Sequence, residues 1–161
     1  TNQNSRDIIS KIKEKINIPV IAAGDIITPR EVSEMFSQRM DGVQMGTRFL
    51  ASRESSVADY FKELCVKTKK EDVLTIMSSA GLPANAIRTR FSELIKAGQT
   101  TEPEICDNCL KHCTRTFCVK DALIRGKEGD KDKGLFFTGK GIEKINEILS
   151  VKQIFRNLIE Y

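Results

Sequence analysis

The chain has 161 residues and a formal net charge of +4, from 26 basic and 22 acidic residues. That length supports one domain with its own core. It is too short for a complete eight-stranded β/α barrel, which takes about 250 residues. Acidic and basic side chains are interspersed, as in Lys127-Glu128-Gly129-Asp130-Lys131-Asp132-Lys133, so no one-signed patch with interleaved aromatics marks a nucleic-acid surface. No apolar run approaches the ~20 residues of a membrane span. A soluble, cytoplasmic protein is expected, with neither nucleic acid nor membrane as partner. The first residue is Thr1 rather than methionine, and the expectation is a chain that starts inside a longer protein.

Asp7–Ile16 carries Ile8, Ile9, Ile12 and Ile16 at helical spacing, and Asn17 closes that helix. Ile18-Pro19-Val20-Ile21-Ala22-Ala23 is a short apolar run without alternation, the pattern of a strand buried on both faces of a parallel sheet. Pro19 stands at its start, where a missing N–H is tolerated. Gly24-Asp25 breaks the run. Thr28-Pro29-Arg30-Glu31 opens a helix: a capping threonine, proline at the first helical position, and a glutamate three residues after the cap. Asp41-Gly42-Val43-Gln44-Met45 is the next strand, ended by Gly46. Helix, strand, helix, strand, with each strand closing on glycine, is the grammar of repeated β/α units and a parallel sheet.

Downstream, Glu54–Lys67 reads as a helix with Val57, Phe61, Leu64 and Cys65 on one face, which makes Cys65 a core residue. Asp72–Met77 is a strand or the start of a helix. Gly81-Leu82-Pro83 is a turn, Ala84–Ala97 is expected to be helical and ended by Gly98, and Thr100–Pro103 is a linker. A cysteine segment, a charged loop and Leu135-Phe136-Phe137 follow. Ile142–Ile159 is expected to be one helix. The implied organisation is the last β/α units of a barrel over 1–70, a helical segment over 71–101, a Cys-rich segment over 102–125, and a loop with a C-terminal helix over 126–161 packing back on the barrel. Arg88 and Arg90 read as solvated surface; Tyr60 and Tyr161 carry no motif.

The strongest chemical signal is the pair of strand ends, Ala22-Ala23-Gly24-Asp25-Ile26 and Gln44-Met45-Gly46-Thr47-Arg48-Phe49. In β/α barrels the last two strands commonly frame a phosphate at their C-terminal ends. Glycine lets the backbone approach the anion closely, free amides point at it, and a hydroxyl such as that of Thr47 adds a donor. A single glycine after a strand more often only turns the chain. Two of them, in consecutive β/α units, favour a phosphate or nucleotide site.

Residues 18–49, IPVIAAGDIITPREVSEMFSQRMDGVQMGTRF, resemble the late barrel of the nitronate monooxygenase family, formerly the 2-nitropropane dioxygenases, to which FMN-dependent enoyl-ACP reductases are related. The resemblance continues through Leu50–Ser55 and Gly81–Ile87 into the final helix. It implies a TIM-type β/α barrel holding FMN, oxidation of a nitronate-like small molecule or hydride transfer from a nicotinamide cofactor, and FMN contacts at Ala23, Gly24, Asp25, Gln44, Gly46 and Thr47. The family pattern has Gly-Gly after Ala-Ala where this chain has Gly24-Asp25. A carboxylate there repels phosphate unless it points away or pairs with a cation such as Arg48. The family's catalytic histidine lies upstream of this segment. His112, the one histidine, does not match it and has no catalytic assignment, so the chain alone is expected to be inactive.

Four of the five cysteines form Cys106-x2-Cys109-x3-Cys113-x4-Cys118. In a reducing cytosolic setting a metal or free thiols are favoured over disulfides. Four close thiols suit Zn²⁺ first and an iron–sulfur cluster second, although the spacing matches neither a zinc knuckle nor a ferredoxin run. The alternative is a loop of reduced or paired cysteines near a helix starting at Thr116. Rival readings of the whole are a non-catalytic, metal-stapled half-barrel that self-associates through exposed edges, an enoyl-ACP reductase-like enzyme, and another phosphate-ligand barrel such as a nucleotide-pathway dehydrogenase.

Overall fold

The computed structural model describes residues 11, 12 and 15–159. The helix expected over Asp7–Ile16 therefore lies largely outside the described residues. The first two units read from the sequence are present: β1 (Ile21–Ala23), α1 (Pro29–Ser37), β2 (Gly42–Gln44) and the single turn α2 (Thr47–Leu50). Thr28 caps α1 as its sequence requires: the Thr28 hydroxyl accepts from the Glu31 amide at 3.3 Å, and the Glu31 carboxylate accepts from the Thr28 amide at 3.0 Å.

β1 and β2 pair in parallel, Ile21 with Gly42, Ala22 with Val43 and Ala23 with Gln44. Successive side chains of a strand point to opposite faces. Ala22 is buried with Ile26, Val32, Met35 and Met40 against α1. Burying a large aliphatic side chain contributes about 1.5–3 kcal/mol, so this small cluster fixes α1 on the strands. Burial on both faces, expected from the apolar run, is not found: Ile21, on the opposite face, is 64% exposed, and Ala23 is exposed beside it, because among the described residues no element covers that face. In a closed barrel that face is the interior. Among the described residues there is no closed barrel: the sheets are this parallel pair and one antiparallel hairpin.

The second layer is α3 (Asp59–Lys67), a short turn at Lys70–Asp72, the hairpin β3 (Val73–Met77) and β4 (Pro83–Ile87), α4 (Arg90–Lys96) and α5 (Val119–Glu128). The ambiguous Asp72–Met77 run is thus a strand. The single helix expected over Ala84–Ala97, and with it the helical reading of 71–101, is replaced by a strand followed by a shorter helix. Pairing decides this: β4 registers against β3 from Val73–Ile87 to Met77–Pro83, and the Thr75 hydroxyl donates to the Asn85 side-chain oxygen at 3.0 Å. Five paired positions outweigh the weak helical preference of two alanines. Thr89 then caps α4 through Ser92, and Gly98 at φ 67° closes it.

Leu135–Thr138 runs along β4. The Ile87 amide donates to the Phe136 carbonyl and the Thr138 amide to the Asn85 carbonyl, at 2.9 and 3.0 Å. Ile87 and Phe136 enter one core with Phe61, Cys65, Ile142 and Ile145, whereas Ala86 and Leu135 enter another with Leu74, Ile76, Phe117 and Ala122. Phe61 and Phe136 meet edge to face at 4.9 Å.

The expected helix over Ile142–Ile159 is also divided. Ile142–Lys144 is a short turn, and α6 spans Val151–Ile159. Ser150 and Gln153 form a new start signal, with the Ser150 amide donating to the Gln153 side-chain oxygen and the Gln153 backbone amide to the Ser150 hydroxyl. The intervening residues turn Ile142 and Ile145 fully into the core. Among the described residues no helix is long and apolar enough to cross a membrane.

Candidate functional site

The parallel register sets Ala23 opposite Gln44, so the two glycine loops leave the sheet side by side. Ala23, Gly24, Asp25, Gln44 and Gly46 are exposed, and Thr47 is half-buried. A Cβ added at Gly24 or at Gly46 meets nothing within 4 Å. Gly24 has φ +99° and Asp25 φ 54°, both left-handed. Glycine adopts that region freely and aspartate is among the few others that tolerate it. The backbone conformation suited to a second glycine is thus retained with a carboxylate added.

Of the two alternatives the sequence left open for that carboxylate, pairing with Arg48 is not the one adopted. Asp25 Oδ1 accepts the Gly141 amide at 3.2 Å, and the Thr47 hydroxyl oxygen accepts the Gly139 amide at 3.0 Å. The Thr138-Gly139-Lys140-Gly141 segment is therefore held across both strand-end loops. Sequence reasoning missed it; two glycines flanking a lysine were the available signal. Arg48 is instead buried, 7% exposed, and donates to the Ala51 carbonyl at 3.3 Å and the Glu147 carbonyl at 2.9 Å. Its Nε is buried without a partner among the described residues. Burial pulls its pKa below the ordinary value, opposed by the Glu147 carboxylate and the Cys65 thiol.

Glu31 is the second tie, 6% exposed. Its Oε2 accepts the Ile27 and Thr28 amides, both at 3.0 Å, and its Oε1 pairs with the Lys144 ammonium. Burial works against its charge, but the Lys144 pair, the two amides and the Thr28 hydroxyl outweigh it and hold the carboxyl down to about 2.

Cys106, Cys109, Cys113 and Cys118 line one cavity of ≈ 190 Å³. The thiols are free, and among the described residues no three Cys, His, Asp or Glu side chains are gathered as a metal would require. Of the two readings of these cysteines, the one with four thiols gathered around an ion is not supported among the described residues, and the loop of reduced cysteines is what is seen. Cys118 caps α5, its sulfur accepting the Asp121 amide at 3.4 Å, while Cys106, Cys109 and Cys113 are exposed on the preceding loop. His112 is exposed in that loop. Cys65 is fully buried, as its helical position implied, and burial pushes its thiol up to about 11.

Parallel β/α units whose in-register ends carry glycine loops, crossed by a glycine-bearing return segment, define an α/β protein. The chain belongs to the nitronate monooxygenase family, whose model matches residues 1–161. A probable nitronate monooxygenase of Staphylococcus aureus (strain JH9) is 34% identical over 86 residues, 53% of this chain and 24% of that protein. FabK from Thermotoga maritima is 32% identical with a TM-score of 0.82, covering 99% of this chain and 49% of that one. Nitroalkane oxidase from Streptomyces ansochromogenes shares the fold, with a TM-score of 0.70 at 19% identity over 96% of this chain and 42% of that one. The chain thus spans about half the length of these structural relatives.

Proposed function

We propose that this chain supplies the phosphate-binding side of an FMN site in a flavin-dependent oxidoreductase of nitronate monooxygenase type, as the C-terminal part of a TIM-type barrel. The observation that carries the reading is the Ala23–Gln44 register, which sets two glycine loops side by side over open space. The residues fit the cofactor's phosphate end: Gly24 and Gly46 admit close backbone approach, Thr47 carries a hydroxyl, and Ala23 and Gln44 stand at the strand ends. When bound, FMN supplies the electron transfer that oxidises a nitronate-like small molecule. The chain's own contribution is to fix one end of the cofactor and to line the barrel interior with Ile21, Ala23 and Gln44. On this reading the family's catalytic histidine is expected upstream of residues 18–49, and the chain alone is expected to give no turnover.

An enoyl reductase activity is the second reading, favoured by the likeness to FabK over nearly the whole chain. Both readings use the same cradle. Titration with FMN under thermal denaturation tests it. At a hundredfold excess over Kd, binding adds about 2.7 kcal/mol. For a chain of this size that raises Tm by roughly 5–10 °C. Riboflavin, lacking the phosphate, serves as control. No saturable shift with FMN refutes the proposal.

A further inference from the structure

Asp25, which stands where the resemblance to the family implies a second glycine, is tied by its side chain to the return segment. Its carboxylate oxygen accepts the Gly141 amide at 3.2 Å. A Cβ at Gly139 would lie 2.7 Å from the same oxygen, so the carboxylate reaches over both glycines of the return segment. The neighbouring amide, that of Gly139, is taken by the Thr47 hydroxyl at 3.0 Å. Among the described residues no cation pairs with Asp25; Lys140, in the return segment, is exposed. Two backbone amides beside the strand ends are therefore already satisfied, one of them by an anion fixed to the protein.

We propose that Asp25 is a charge-selective residue of the phosphate cradle: its carboxylate is a built-in anion that clasps the Gly139–Gly141 segment and opposes the phosphate of an incoming ligand. This rests on reading the strand ends as the FMN phosphate site. A phosphate brought to the same strand ends is repelled by this carboxylate, an effect that water at this exposed position screens to about 1 kcal/mol at 4 Å. The cradle of this chain therefore discriminates less between a phosphorylated ligand and its dephosphorylated counterpart than a diglycine cradle does. Ligands lose less by lacking a phosphate, and release of the clasp accompanies phosphate entry.

Asp25→Asn isolates the charge. Asparagine tolerates the left-handed backbone and keeps a carbonyl oxygen for the Gly141 amide. FMN and riboflavin are titrated into the full chain and into D25N, following flavin fluorescence, and inorganic phosphate is titrated into both under thermal denaturation. The expected result is a gain in FMN affinity on the order of tenfold in D25N with riboflavin unchanged, and a larger phosphate-induced rise in Tm. An unchanged ratio of FMN to riboflavin affinity overturns the inference while leaving the flavin reading intact, as does weaker FMN binding by D25N. Absence of flavin and phosphate binding by both proteins overturns the flavin reading and the inference with it. Asp25→Gly, which removes the clasp as well as the charge, should retain the gain if repulsion dominates.

Discussion

Replacing Glu31 should uncouple the first β/α unit from the C-terminal segment. Its carboxylate satisfies the amides of buried Ile27 and of Thr28 and pairs with Lys144, more than a hundred residues away in the chain. A carboxyl held at about 2 instead of 4.5 corresponds to about 3 kcal/mol of stability. The folded pKa is depressed, so that contribution is complete above pH 4.5 and is lost as pH falls towards 2. Glu31→Ala also orphans the two amides and should cost about 3–4 kcal/mol. At roughly 2–4 °C per kcal/mol for a chain of this length, Tm falls by about 6–15 °C. Glu31→Gln keeps a neutral acceptor for the amides but loses the charge and turns an amide donor towards Lys144, and should cost about 2–3 kcal/mol. The assay is thermal denaturation followed by circular dichroism between pH 7 and 2.5. E31Q should show a shallower fall in stability below pH 4.5 than the parent. A double-mutant cycle with Lys144→Met should return a coupling of about 1–3 kcal/mol. An E31Q protein that matches the parent in Tm and in acid profile would falsify the reasoning.

Three more outcomes follow from the geometry. Thiol reagents should modify exposed Cys106, Cys109 and Cys113 rapidly and leave Cys65 untouched until the chain unfolds, since its thiol is buried and pushed up to about 11; mass spectrometry of timed reactions reads this. Arg48→Ala should cost about 2–4 kcal/mol, because it frees the Ala51 and Glu147 carbonyls where α2 meets the C-terminal segment, and denaturant midpoints at constant m-value measure it. Ile142→Ala and Ile145→Ala should each cost about 2–5 kcal/mol despite lying in an irregular segment, because both side chains are fully buried; exposed Phe155→Ala should cost far less.

The parts of the fold legible in the sequence are those dictated locally. The Thr28–Glu31 cap, the two glycine-closed strands and the buried face of α3 depend on neighbours a few residues apart, and each was readable. Pro83–Ile87 was misread because its conformation is set by Val73–Met77 across the hairpin, a partner its composition does not announce. The C-terminal helix was overextended for the opposite reason: its apolar spacing is helical, but the Ser150 cap interrupts it and Ile142 and Ile145 answer to the core instead. At the site, the glycine loops were visible while their clasp was not, since the Asp25–Gly141 and Thr47–Gly139 contacts join residues about a hundred positions apart. The cysteine segment was legible as a cluster in sequence, but how its thiols sit in space depends on the loop path between Cys106 and the start of α5, which spacing does not state.

The ladder formed by β3, β4 and the Leu135–Thr138 run serves as a partition with a core on each side. Ala86 and Ile87, like Leu135 and Phe136, are chain neighbours assigned to opposite compartments. A residue inserted or lost within either run exchanges the occupants of both compartments at once, forcing Phe136 into a space shaped for Leu135 and the reverse. Length variation among relatives should therefore be excluded from these runs and collect at the exposed 80–82 tip of the hairpin and in the cysteine-bearing loop. There the segment grows or shrinks without moving any side chain through the wall.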